Sequence, residues 1–198
     1  MTLVLASRSP QRRAILTALG VGFAVRPPAF EEEARGEAER VARANAVGKA
    51  RAVDRAGGEL VLGVDTVVEL GGRLYGKPAD ESEARATLRA LSGATHTVVS
   101  AIALVGDGDL RTATAATAVA IRELDAATVD WYLATGEWRE RAGGYAIQGA
   151  GCALVGSIAG DWTNVVGLPV GTLLALHPSL LEAGNNRFRR PDPPQLQR

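Results

Sequence analysis

Residues 60–70 read Leu60-Val61-Leu62-Gly63-Val64-Asp65-Thr66-Val67-Val68-Glu69-Leu70. This near-continuous apolar run predicts a strand, and Gly71-Gly72 predicts a hairpin turn that returns through residues 73–75. Working back toward the N-terminus, residues 38–53 place Ala38, Val41, Ala42, Ala46, Ala50 and Val53 at helical spacing. Before them a strand is expected at 23–27, and a helix runs from Pro10 to Leu19, stopping at Gly20. Proline in the first turn and glycine past the end is the usual asymmetry of a helix. The chain opens on a strand at 3–6. On the other side, Asp80 with Glu83 reads as a capping box for a helix whose inward face is Ala84, Leu88 and Leu91. Strands at 97–105 and 111–122 flank the turn Gly106-Asp107-Gly108. Asp125 caps a helix over 126–134, a strand follows at 153–158, and Pro169 starts the last helix. Strand and helix alternate first and strands dominate later, so the class is α/β with a mixed sheet.

The 198 residues fit one domain, expected at 1–183, and the Arg- and Pro-rich stretch 184–198 reads as a loose basic tail. Lys plus Arg and Asp plus Glu are 22 each, so no long-range field invites a polyanion and nucleic acid is not an expected partner. No apolar run reaches the ~20 residues of a membrane helix. The start of the chain enters a strand at once, with no charged leader. Together with the single cysteine, Cys152, this predicts a cytoplasmic protein without a disulfide framework. Cys152 itself reads as a small core residue.

Asp65 carries the strongest chemical signal. A carboxylate inside an apolar strand costs several kcal/mol unless a cation or donor satisfies it, which predicts catalytic or metal duty. Taken alone, it also predicts that Asp65→Asn holds or raises stability. Lys49 lies at i+4 from Asn45 on the inward side of its helix. It needs an anionic partner, a carboxylate or a ligand phosphate, unless it is a stem snorkelling past the apolar stripe. Ser7-Arg8-Ser9-Pro10-Gln11-Arg12-Arg13 sets hydroxyls, free backbone N–H groups and guanidiniums at a strand-to-helix junction, suited to an anion. The alternative there is a plain Ser9 cap with solvated arginines. Gly71 to Pro78, GGRLYGKP, imitates a phosphate loop but has Pro78 where a metal-holding hydroxyl belongs, and it lies in a hairpin. Lys77 still returns toward the strand of Asp65. Glu31-Glu32-Glu33 reads by itself as a solvated loop, Gly149-Ala150-Gly151 as a weak dinucleotide signal, and His96 and His177 as structural.

In order along the chain, ASRSPQRR, Glu31-Glu32, Gly48-Lys49-Ala50, GVDTVV, YGKP, LSGATH, Ile121-Arg122, AGGYAIQG and NVVGLP resemble the Maf family of nucleoside triphosphate pyrophosphatases. The resemblance implies an elongated fold with a central mixed β-sheet, flanking helices and a cleft between two lobes. It implies cleavage of a triphosphate between its α and β phosphates with Mg²⁺ or Mn²⁺, and leaves room for a homodimer. Residue by residue, Asp65 would activate water and, with Glu32, hold the metal. Ser7, Ser9, Arg12, Lys49 and Lys77 would bind the triphosphate, with Gln11 beside them where the family often has arginine. Thr66 and Gln148 match the branch acting on thymidine and uridine triphosphates, whereas the branch resembling 7-methyl-GTP hydrolases differs at both. Arg141 stands where lysine is common. Two rivals remain: a nucleotide-binding regulator of cell division without catalysis, and an aspartyl-intermediate phosphatase, which lacks its D-x-D pair.

Overall fold

The computed structural model describes residues 2–181. The expected basic tail at 184–198 lies outside them. Strand β1 (Thr2–Ala6) leads into α1 (Pro10–Ala18) and β2 (Phe23–Val25). After α2 (Ala38–Arg51) come β3 (Glu59–Leu70), β4 (Arg73–Tyr75), α3 (Glu81–Leu91), β5 (Thr95–Val105) and β6 (Leu110–Ile121). Then follow α4 (Ala126–Ala134), two short 3-10 turns (Ala142–Gly144 and Ala150–Leu154), β7 (Val155–Ala159), α5 (Trp162–Val166) and α6 (Val170–Leu176).

The helix ends obey the chemistry of their sequences. Ser9 Oγ accepts the Arg12 N–H at 3.4 Å with Pro10 in the first turn of α1. Asp80 takes the Glu83 N–H at 2.8 Å, while Glu83 reaches back to the Ala79 N–H at 2.8 Å, one residue beyond the expected box. The hairpin joining β3 to β4 turns through Gly71 and Gly72, both at positive φ, as a tight two-residue turn requires. The segment resembling a phosphate loop is therefore a β-turn. Short α5, capped by Asp161, and the 3-10 turns had no periodicity long enough to announce them. Cys152 is exposed and not a core residue. It stands on the outer side of a turn whose buried members are Gly151 and Leu154.

The sheet is mixed, in the order β2-β1-β3-β5-β6-β7, with β4 added to β3. β1 runs parallel to β2 and β3; the β3–β4, β3–β5, β5–β6 and β6–β7 pairs are antiparallel. One face buries Leu3, Leu5, Leu62 and Ile102 against Leu16 of α1 and Leu173 of α6. The other sets Val4, Val61 and Ala101 against the alanine stripe of α2. Contact there is close: a Cβ at Gly63 would lie 2.1 Å from the Ala46 carbonyl, so only glycine lets α2 approach β3 so nearly. A third cluster packs α3 and α4 with Val68, Val98, Tyr145 and Leu154. No helix among the described residues is long and apolar enough to cross a membrane.

His96 and His177 are both buried. His96 Nε2 meets the Tyr145 hydroxyl at 2.8 Å, and burial pushes its pKa down from 6.5 to about 4. Between those values the unfolded chain takes up a proton that the folded chain refuses, so acidification through this window destabilises the fold. The His96 contribution is about 3 kcal/mol by pH 4. Urea unfolding of wild type and His96→Gln at pH 7 and pH 4 measures it. The wild type is expected to lose more stability than the variant, and parallel losses would contradict the assignment.

Candidate active site

One edge of β3 is paired with β1 through Gly63 and with β4 from Val68 onward. Residues 64–67 have no strand on that edge, while the other edge is paired with β5 throughout. The cleft opens at this gap, with a volume of about 1110 Å³. Because successive side chains on a strand point to opposite faces, Asp65 and Thr66 line the cleft from opposite sides of the sheet.

On the α2 side Asp65 is 3% exposed. Lys49 Nζ lies 2.6 Å from its Oδ1 and 2.7 Å from Glu32 Oε1, so one ammonium bridges two carboxylates. Asn45, one helical turn earlier, donates to Asp65 Oδ2 at 3.0 Å. Burial alone would push the Glu32 carboxyl up. The hydrogen bond and charge of Lys49, with Lys77 and Arg12 further off, more than reverse this and hold it below its usual range. Glu32 therefore leaves the solvated-loop reading and joins the cluster.

On the other side Arg12 is nearly buried at 9% exposure. It donates from Nε to the Gly167 carbonyl at 2.8 Å, from Nη1 to Ser7 Oγ at 3.1 Å and from Nη2 to Thr66 Oγ1 at 3.2 Å. Burial lowers its pKa, and the charges of Asp65 and Glu32 pull it back up. It remains a cation, as arginine does in proteins. Three of its five donors tie α1 to β3, to the turn after α5 and to the loop that follows β1. Thr66 Oγ1 also lies 2.8 Å from Ser100 Oγ. Ser9 and Gln11 meet each other at 3.0 Å at the mouth. Lys77, half-exposed, lies 3.9 Å from Glu140 Oε2, and exposed Gln148 lines the same end. Gly143 N–H donates to the Gly76 carbonyl at 3.1 Å, which docks the glycine-rich segment on the hairpin that carries Lys77.

All ten residues expected from the sequence thus border one cleft. Asn45, Ser100, Arg141 and Tyr145 went unassigned at the sequence level. Asn45 alone had a legible signal, a polar amide inside an alanine stripe. Glu32 and Asp65 are the carboxylates that converge and could hold a cation. Among the described residues no group of three or more His, Cys, Asp or Glu side chains forms a cage. Two carboxylates facing an open cleft fit Mg²⁺, which is commonly held by one or two carboxylates with substrate phosphates and water supplying the rest.

The profile of the Maf-like protein family matches residues 2–179. The chain belongs to the Maf family. Among its Maf relatives, a dTTP/UTP pyrophosphatase of Gloeobacter violaceus is 46% identical over 177 residues, spanning 88% of this chain and 93% of the relative. A protein of the same name from Anaeromyxobacter dehalogenans is 45% identical over 184 residues, 88% and 91% of the two chains. Another, from Pyrococcus furiosus, is 40% identical over 177 residues, 88% and 93%. The mixed seven-stranded sheet flanked by helices agrees with the fold expected of a Maf protein. In this Maf cleft the quoted motifs are not scattered. ASRSPQRR, GVDTVV and NVVGLP meet through Arg12, whose guanidinium touches a residue of each.

Proposed function

We propose that this protein is a nucleoside triphosphate pyrophosphatase that favours dTTP and UTP, cleaving between the α and β phosphates to release a monophosphate and pyrophosphate. The observation that carries the reading is the Glu32–Lys49–Asp65 cluster in the cleft, in which buried Lys49 and Asp65 meet the exposed carboxylate of Glu32, in a chain 40–46% identical to proteins named for that reaction. The working unit is the single domain 1–183, acting in the cytoplasm.

Asp65 accepts the proton of the attacking water as its oxygen bonds to phosphorus and the bridging bond breaks. Each carboxylate oxygen has a second acceptor site beyond Lys49 or Asn45. Glu32 and Asp65 would hold Mg²⁺ or Mn²⁺, which when bound neutralises phosphate charge and lowers the pKa of water. Lys49 keeps the two carboxylates together against their mutual repulsion. Lys77, Ser7 and Ser9, with the two donors that Arg12 has to spare, bind the triphosphate and stabilise the charge moving onto pyrophosphate. Gln11 is neutral where an arginine is common, so this end offers less charge.

Thr66 and Gln148 face the base. An amide supplies both a donor and an acceptor, which suits the carbonyl and N–H edge of thymine or uracil. A base that leaves such groups unpaired is penalised by ~1–3 kcal/mol each. In the deciding experiment, purified protein with Mg²⁺ is given each natural triphosphate and 7-methyl-GTP, the products are identified, and kcat/KM values are ranked. Pyrophosphate with dTTP and UTP first is the expected result. A purine in first place overturns the base preference, release of inorganic phosphate overturns the reaction, and no product from any substrate returns the chain to the non-catalytic regulator.

A further inference from the structure

Asn45 sits in the buried stripe of α2 between Val41, Ala42, Ala46 and Lys49, at 1% exposure. Asparagine is a poor helix former, because its amide competes with the backbone, and a buried amide is tolerated only when its bonds are satisfied. Here all are. Its Oδ1 accepts the Glu33 N–H at 2.8 Å, while Nδ2 donates to the Glu33 carbonyl at 3.0 Å and to Asp65 Oδ2 at 3.0 Å. The first two bonds close a pair on one residue's backbone, as a neighbouring strand would. Glu33 belongs to the segment between β2 and α2, in which residues 26–37 adopt no helix or strand. Glu32, the loop's contribution to the carboxylate cluster, is its immediate neighbour. A second anchor lies on its other side, where the Phe30 ring rests so closely on Gly48 that a Cβ there would come within 2.2 Å of ring carbons.

We propose that Asn45 is a positioning residue for the reaction: its amide clamps the Glu33 backbone and binds Asp65, fixing Glu32 opposite Asp65 across Lys49. The inference rests on the proposed pyrophosphatase reading and adds to it the device that joins a carboxylate on an irregular loop to one on a strand. Without the clamp a flexible segment would have to be ordered by the ligand each time it binds, at a cost in affinity.

Asn45→Leu keeps the number and branching of the side-chain heavy atoms at somewhat greater bulk, suits a helix and removes all three bonds. Affinity for a non-hydrolysable α,β-methylene dTTP with Mg²⁺, measured well below a melting temperature that the lost donor to Asp65 also lowers, is expected to fall by ~10-fold or more. The same substitution in a Glu32→Gln background is expected to cost less than ~3-fold, because the residue being positioned has already lost its charge. Hydrogen exchange of the Glu33 amide without ligand is expected to accelerate in Asn45→Leu. Gly48→Ala, which displaces Phe30 and leaves Asn45 in place, is expected to weaken the same affinity through the same loop, and also to lose its effect in the Glu32→Gln background. Unchanged affinity in Asn45→Leu, a loss undiminished by Glu32→Gln, or unaltered Glu33 exchange would overturn the proposal. Absence of pyrophosphate release by the wild type would instead sink the reaction assigned above, while the exchange measurement still decides the clamp.

Discussion

Asp65→Asn is expected to lower turnover by at least ~10², because it removes the acceptor for the water proton and one of two carboxylates available to a cation. The side chain keeps its size and its contact with Asn45, so substrate should still bind. The stability consequence differs from what a lone buried carboxylate implies. Asp65 is not alone: its Oδ1 is 2.6 Å from Lys49 Nζ, and both groups are almost buried. Neutralising it leaves that ammonium with Glu32 at 2.7 Å as its carboxylate. A modest loss of ~1–3 kcal/mol is therefore expected in place of a gain, since one partner of a buried pair has gone and the other keeps a substitute. Steady-state turnover with Mg²⁺ and a urea titration read the two effects separately. Near-normal turnover would remove Asp65 from the chemistry. Increased stability would mean that Lys49 is satisfied by Glu32 alone.

Lys49→Met is expected to be the more damaging change to the fold. It keeps the apolar stem and deletes the charge that lies between two carboxylates. Asp65 would be left buried with the Asn45 amide, and Glu32 would face it without a counter-ion. Removing one partner from a buried pair costs about 3–5 kcal/mol, on the order of 10 °C in Tm for a chain of this length. Adding Asp65→Asn should recover part of that loss, because the unpaired charge is gone. The double variant is thus expected to be more stable than Lys49→Met alone, the reverse of additivity. Binding carries a further reading: if Lys49 also contacts distal phosphates, a non-hydrolysable triphosphate loses more affinity than the monophosphate. A double variant less stable than Lys49→Met would show that the ammonium is not held chiefly by Asp65.

Much of this was open to inspection in one dimension. The run from Leu60 to Leu70 had to be a strand, because an apolar segment closed by Gly-Gly has few other uses. Ser9-Pro10, Asp80 and Asp125 mark helix starts for a local reason, an acceptor placed three residues before an unpaired N–H, and local causes can be read from neighbours. Asp65 was conspicuous because an ionised group is costly in an apolar run wherever the run ends up. Short elements escaped: a five-residue helix at Trp162–Val166 and the 3-10 turns present too few residues for a period. The tight glycine at position 63 was equally silent, since nothing near it in sequence says that Ala46 will press against it.

The amino-acid sequence by itself determined the α/β class, the strand and helix order, the glycine hairpin and the set of polar residues too expensive to bury without partners. Each follows from interactions between residues a few positions apart. Only the tertiary structure decided who those partners are. Lys49 needed an anionic partner; the approach of α2 to β3 over Gly63 gives it Asp65 and Glu32. Glu32 was one acid among three until Asn45 clamped its neighbour from twelve residues away. Asp65 and Thr66 belong to opposite faces of one strand, and they share a cleft because pairing with β1 stops at Gly63 and pairing with β4 starts at Val68. A gap in strand pairing depends on where three separate segments begin and end in space, and no local preference along the chain encodes it.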